Sequence, residues 1–163
     1  MPLNIIHFTL AAILVLAGVS HPSASYAAGS GDSGSNYSSS GTESVTFRKA
    51  KKAIAEERFE EAYQLLSSEV KGDADNADIH NLLGYSARKM GRLEESEAHY
   101  FKALSLNPKH KGALEYMGEL YLTLNRPDDA RKLLQQLEKI CWLGCDEKDD
   151  LKAAIAKWEE ANG

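Results

Sequence analysis

The chain is poor in most of what catalysis, metal binding or nucleic-acid binding requires. Its 19 Lys and Arg are outnumbered by 24 Asp and Glu, for a formal net charge of −5. A dedicated nucleic-acid binder carries a basic excess, and a polybasic membrane-surface protein needs the same. Two cysteines in 163 residues do not build a disulfide framework. There are five histidines, and two of them, His7 and His21, fall in the N-terminal segment. No carboxylate pair has the isolated apolar setting that tunes a general acid. There are no alternating strand runs and no Asn-Gly hairpin signals. The balance favours a non-catalytic, cofactor-free binding protein of one folded domain.

The longest apolar run, Ile5 to Val19, covers 15 positions and is interrupted only by His7 and Thr9. It falls short of the roughly 20 residues that span a bilayer as a helix. Small residues follow, and Ser25-Tyr26-Ala27 suits a cut between Ala27 and Ala28. Residues 1–27 therefore read as a secretory signal peptide. No Lys or Arg stands in Met1–Asn4, which leaves an uncleaved anchor as the alternative. After cleavage no membrane span remains, and the expected location is periplasmic or secreted. Residues 28–42 are rich in Gly and Ser and read as a disordered tether. Within it, Gly29-Ser30-Gly31-Asp32-Ser33-Gly34 has the letters of a dinucleotide fingerprint. The strand and helix that give that motif its chemistry are missing. Asp32-Ser33 lacks the rigid scaffold a nucleophilic serine needs.

From residue 43 onward the pattern is helical and repeats. Arg58-Phe59-Glu60-Glu61-Ala62, Arg92-Leu93-Glu94-Glu95-Ser96 and Arg126-Pro127-Asp128-Asp129-Ala130 lie 34 residues apart. Each reads Arg, apolar, acid, acid, small. The same register aligns Leu66, Tyr100 and Leu134, and upstream Ala50, Gly84 and Gly118. Small residues at those positions let paired helices approach. The acid pairs suit the first turn of a helix, where they complement the macrodipole. Seven helices are expected, at about 44–57, 60–70, 77–90, 94–106, 111–124, 127–141 and 147–161. In the last, Leu151, Ala154, Ile155 and Trp158 form one apolar stripe.

These motifs resemble the tetratricopeptide repeat family over roughly residues 43–144. Repeat 2 carries Leu83-Gly84, Ser96, Tyr100, Ala103 and Pro108; repeat 3 carries Met117-Gly118, Tyr121, Ala130 and Leu134. Repeat 1 is degenerate, with Lys49-Ala50 at the Leu-Gly position. The resemblance implies an all-α, right-handed solenoid in an exported bacterial protein. Three helix-turn-helix repeats (43–76, 77–110 and 111–144, within a domain 43–146) would be followed by a C-terminal capping helix, 147–163. It also implies a concave groove lined by the first helix of each repeat.

The family's groove positions map onto Phe47, Lys51 and Ile54, then Asp78, Asn81, Tyr85, Arg88 and Lys89, then Glu115, Glu119 and Leu122, with Tyr116 alongside. Of these, Phe47, Lys51, Asn81, Tyr85, Arg88, Tyr116 and Glu119 are the expected partner-binding residues. Tyr and Arg are frequent interface anchors, and an extended peptide or a helix would fit such a groove. Some family members clamp chaperone C-terminal carboxylates with Lys, Asn and Arg. That set is incomplete here, because Gly112, Glu115 and Tyr116 stand where bases belong.

Cys141-Trp142-Leu143-Gly144-Cys145 lies between repeat 3 and the last helix. A disulfide, formed in an oxidising compartment, is the expected state, stabilising by about 2 kcal/mol for so short a loop. Two sulfurs without clustered histidines make a poor metal site. His80, His99 and His110 are scattered along the repeats and read as packed or surface residues. The resulting expectation is an adaptor or scaffold that binds a protein or peptide, in cell-envelope assembly or secretion. The alternatives are redox or metal handling through Cys141 and Cys145, or a self-assembling scaffold with end-to-end homo-oligomers.

Overall fold

The computed structural model describes residues 43–162; the signal-peptide and tether readings lie outside the described residues. Seven helices occur in order: α1 Val45–Ala55, α2 Phe59–Glu69, α3 Ala77–Lys89, α4 Leu93–Leu106, α5 Lys111–Thr123, α6 Pro127–Ile140 and α7 Asp146–Asn162. There is no strand among the described residues. Within hairpins α1 packs on α2, α3 on α4 and α5 on α6; between hairpins α2 meets α3, and α4 meets α5. The result is an all-α solenoid of helical repeats.

The turn inside each hairpin repeats in its backbone. Glu57, Gly91 and Asn125, again 34 apart, adopt left-handed φ of 57°, 77° and 57°. After each of them an arginine N–H reaches back to a carbonyl five residues earlier: Arg58 to Ala53, Arg92 to Ala87 and Arg126 to Tyr121, at 2.8, 2.9 and 2.7 Å. This is the helix-ending geometry for which glycine is best suited. The second helices carry no side-chain cap. Their acid pairs, Glu60-Glu61, Glu94-Glu95 and Asp128-Asp129, stand in the first turn, where the exposed N–H groups favour negative charge.

The turn arginines also tie consecutive hairpins together. Arg92 pairs with Glu60 of α2 at 2.8 Å, and Arg126 pairs with Glu97 of α4 at 2.9 Å. Arg92 lies 5.5 Å from the Tyr63 ring, and Arg126 lies 4.2 Å from the Tyr121 ring. These pairs are exposed, so each adds little individually.

The core is divided into two clusters along the stack. Ala50, Leu66, Ile79 and Leu83 form one buried cluster; Tyr100, Leu114, Met117, Leu120, Leu137 and Leu151 centre another. Ala62, Ser96 and Ala130 are fully buried, and the Ser96 hydroxyl donates to the Gly84 carbonyl at 2.7 Å. Gly84 faces the Tyr100 ring, where an added Cβ would come within 2.7 Å of ring carbon.

Gly118 behaves differently from its repeat mate. An added Cβ there would meet Leu151 of α7 at 2.5 Å, instead of the residue on α6 that aligns with Tyr100. Leu134 is smaller than tyrosine, so α7 moves in where Tyr100 sits one repeat earlier. The last helix contacts both α5 and α6, as α5 contacts α3 and α4. It takes the place of a first helix in a fourth hairpin, with Leu151, Ala154, Ile155 and Trp158 against the core.

Candidate functional site

The helices α3, α5 and α7 succeed one another along one side of the stack, and a constant register links the first two. Asn81 abuts Gly112, where an added Cβ would lie 3.2 Å from the amide nitrogen. The Tyr85 and Tyr116 rings are 4.8 Å apart, tilted by 52°. The Arg88 guanidinium pairs with Glu119 at 2.6 Å. Each pair is separated by 31 residues in sequence. The spacing of 3 or 4 along each helix keeps all six residues on one face.

Tyr85 is the hub. It makes an edge contact with Phe59 at 6.1 Å on its other side. Arg88 lies 5.5 Å from its ring and 5.9 Å from the Tyr116 ring, and Lys89 lies 5.4 Å from Tyr85. Arg88 is only 13% exposed at its side chain, and burial raises the hydroxyls of Tyr85 and Tyr116 above the usual phenol range. Both tyrosines and Glu119 keep partial exposure, so the cluster is packed and still reachable from solvent.

Two groups on this face are buried with no hydrogen-bond or ion-pair partner among the described residues. Asn81 is 6% exposed, and its Oδ1 accepts no hydrogen bond. Glu115, one turn before Glu119, is 7% exposed. Burial, reinforced by Glu119, Asp150 and Glu147, pushes its carboxyl up to about 8, against the pull of Arg88.

The expected binding residues do not all gather. Asn81, Tyr85, Arg88, Tyr116 and Glu119 form the cluster above. Phe47 and Ile54 are partly buried against the first core cluster. Lys51 pairs with Glu43 at 2.5 Å and lies 5.6 Å from the Phe47 ring. Leu122 is core. Asp78 holds His110 at 2.9 Å, and that contact keeps its carboxyl below the usual range.

The histidines are less scattered than their sequence positions imply. His110 caps α5: its Nδ1 accepts from the Ala113 N–H at 3.1 Å, so Nε2 carries the proton donated to Asp78. His80 and His99 meet across α3 and α4, Nδ1 to Nδ1 at 3.2 Å. His80 Nε2 donates to the Ala74 carbonyl at 3.1 Å, and His99 Nε2 lies 3.2 Å from the Tyr63 hydroxyl, which also bonds Glu95. The intrahairpin pairing of His80 with His99 is not visible in spacing alone. Among the described residues, no three His, Cys, Asp or Glu side chains group to hold a metal.

Cys141 and Cys145 are joined by a disulfide, with alpha carbons 5.6 Å apart. Gly144, at φ 99°, turns the chain toward α7. The loop leaves Trp142 and Leu143 80% and 81% exposed.

Residues 77–110, the α3–α4 hairpin, match the family model described as tetratricopeptide repeat. The TPR repeat-containing protein BH2049 of Halalkalibacterium halodurans is 30% identical over 82 residues. That match covers 50% of this chain and 36% of the relative, so the chain spans about a third of the relative's length. Among solved structures, the first TPR of Spaghetti (RPAP3) bound to an HSP90 peptide superposes with a TM-score of 0.63 at 16% identity, covering 72% of this chain and 90% of that one. The Yersinia enterocolitica type III secretion translocator chaperone SycD gives a TM-score of 0.61 at 16% identity, covering 71% and 87%.

Proposed function

We propose that this protein is a non-catalytic interaction module of the tetratricopeptide repeat type. Its α3–α5–α7 face binds an extended peptide or a helix of another protein. The observation that carries this reading is the partly exposed Tyr85–Tyr116 pair, held by Arg88 and Glu119. Rigid aromatics backed by an ordered arginine lose little entropy on binding, which is why such groups anchor interfaces. The peptide bound to the Spaghetti repeat domain supports the same use of the fold.

The module acts outside the cytosol, in envelope assembly or secretion. The apolar segment Ile5–Val19 followed by Ser25-Tyr26-Ala27 supports export, and a paired Cys141 and Cys145 suit an oxidising compartment. The mature chain then starts at Ala28, which N-terminal sequencing of the native protein reads directly.

The test of binding is site-specific photo-crosslinking in the native host. A photoreactive residue at position 85 or 116 should give one discrete adduct. The same residue at Phe101, exposed on α4, should not. Tyr85→Ala combined with Arg88→Ala should remove the position-116 adduct while leaving helicity intact. Equal adducts from positions 85, 116 and 101 would end this assignment of the face.

A further inference from the structure

We propose that the α5–α7 end of this face receives a lysine or arginine side chain of the bound partner, with Glu115 as the group that pairs with it. The inference rests on the reading of the face as a peptide site and adds the partner's chemistry.

Glu115 stands four residues before Glu119, so both carboxylates lie on the same stripe of α5. The charged groups that act on Glu115 belong to this face, Glu119 on its own helix, Arg88 on α3, and Glu147 and Asp150 on α7, and the Tyr85 and Tyr116 hydroxyls feel it in turn. Three of the four charged groups are acids. The single cation, Arg88, is committed to Glu119 at 2.6 Å. Lys148, beside Glu147 on α7, is turned to Asp149 at 3.4 Å.

A buried carboxyl with no partner is costly, and a glutamine or an apolar residue would avoid the penalty. Burial and acidic neighbours push this one up to about 8, so the empty site holds a proton near neutral pH. An arriving ammonium or guanidinium displaces that proton and supplies the missing donors. The neighbouring orphan has the same polarity. Asn81 Oδ1 is an unpartnered acceptor, more than nine-tenths buried, beside Gly112 on the same face. Asn81 and Glu115 both call for hydrogen-bond donors, which a peptide carries as backbone N–H and basic side chains, while the unpartnered Arg88 Nε on α3 calls for an acceptor such as a peptide carbonyl.

The chain's own N-terminal segment does not fit as occupant, because no Lys or Arg occurs before Arg48. α7 packs against α5, and its acids Glu147 and Asp150 act on Glu115, so α7 closes this end of the face with negative charge.

The test is selection from a phage-displayed library of random linear peptides on the full-length protein. Selected peptides should be enriched in Lys or Arg at a fixed spacing from an apolar residue. Glu115→Gln should keep selecting peptides but lose the basic preference. With a selected lysine peptide as probe, replacing that lysine by norleucine should weaken binding to the wild type about tenfold or more and leave binding to Glu115→Gln unchanged. Affinity of the lysine peptide should rise between pH about 6 and about 9 in the wild type and stay flat in Glu115→Gln. Peptides that depend on Tyr85 but show no basic preference, or keep it in Glu115→Gln, overturn this inference and leave the binding face standing. No enrichment, or enrichment indifferent to both Tyr85→Ala and Glu115→Gln, overturns both.

Discussion

Arg88 reaches from α3 to Glu119 on α5 at 2.6 Å, and its guanidinium lies beside the paired rings of Tyr85 and Tyr116, 5.5 and 5.9 Å from them. The contact joins consecutive hairpins on the side where first helices adjoin. Its arginine is far less exposed than the turn arginines, so this pair has more to contribute than theirs. A double-mutant cycle on Arg88→Ala and Glu119→Ala, followed by urea unfolding, should give a coupling of about 1 kcal/mol or more. The same cycle on Arg92 and Glu60 should fall near the lower end of surface pairs, about 0.2 kcal/mol.

The three left-handed turn residues predict opposite responses to substitution. Glu57 pays the backbone penalty that Gly91 avoids. Glu57→Gly should stabilise the fold by up to about 1 kcal/mol. Gly91→Ala should destabilise it by about 1 kcal/mol, although nothing stands within 4 Å of the added Cβ. Thermal unfolding of both variants checks the pair.

Gly118 reports on how the last helix docks. Gly118→Ala drives a methyl into Leu151 and should cost about 1–3 kcal/mol. Leu151→Ala alone should cost about 2–5 kcal/mol as a cavity. The double variant should be clearly less damaged than the sum, because each change relieves the other. Strict additivity in denaturant titrations would contradict the wedge of α7 against α5.

The raised Glu115 carboxyl makes stability depend on pH. The folded state holds this proton up to about pH 8, whereas an unfolded glutamate releases it near its ordinary value of about 4.3. The stabilisation is therefore complete below pH about 4.3 and is lost as pH rises through about 8, with a slope of at most about 1.4 kcal/mol per pH unit. Glu115→Gln should flatten that part of the profile and be the more stable form above pH about 8.

Reduction of the Cys141–Cys145 disulfide should cost about 2 kcal/mol, the figure for a loop this short. The effect should concentrate in α7, where amide exchange should accelerate while α1–α4 remain protected. A uniform change across all helices would contradict a local role.

Much of the fold was legible because a single 34-residue period fixes helix boundaries, small contact positions and turn arginines together. All seven expected helices occur, with ends shifted by a residue or two. The left-handed residue at each turn was not anticipated at Glu57 and Asn125, since neither is glycine and the turn geometry emerges only from the coordinates. The clustering of the candidate residues was legible to the extent that first-helix spacing places Tyr85, Arg88, Tyr116 and Glu119 on one face. The partial burial of Phe47 and the pairing of His80 with His99 depend on helix-to-helix contacts that spacing within one segment does not encode. The contribution of α7 escaped for a related reason. Its apolar stripe reads as a cap, while the acids it brings toward Glu115 depend on how α7 docks on α5.

The account stands most directly on the affinity of a selected peptide for three forms of the protein, measured by calorimetric titration. Tyr85→Ala with Arg88→Ala should weaken binding about tenfold or more, whereas Phe101→Ala on α4 should bind as the wild type does. Equal affinity in all three forms, or a loss produced by Phe101→Ala instead, would contradict a binding face built from α3, α5 and α7.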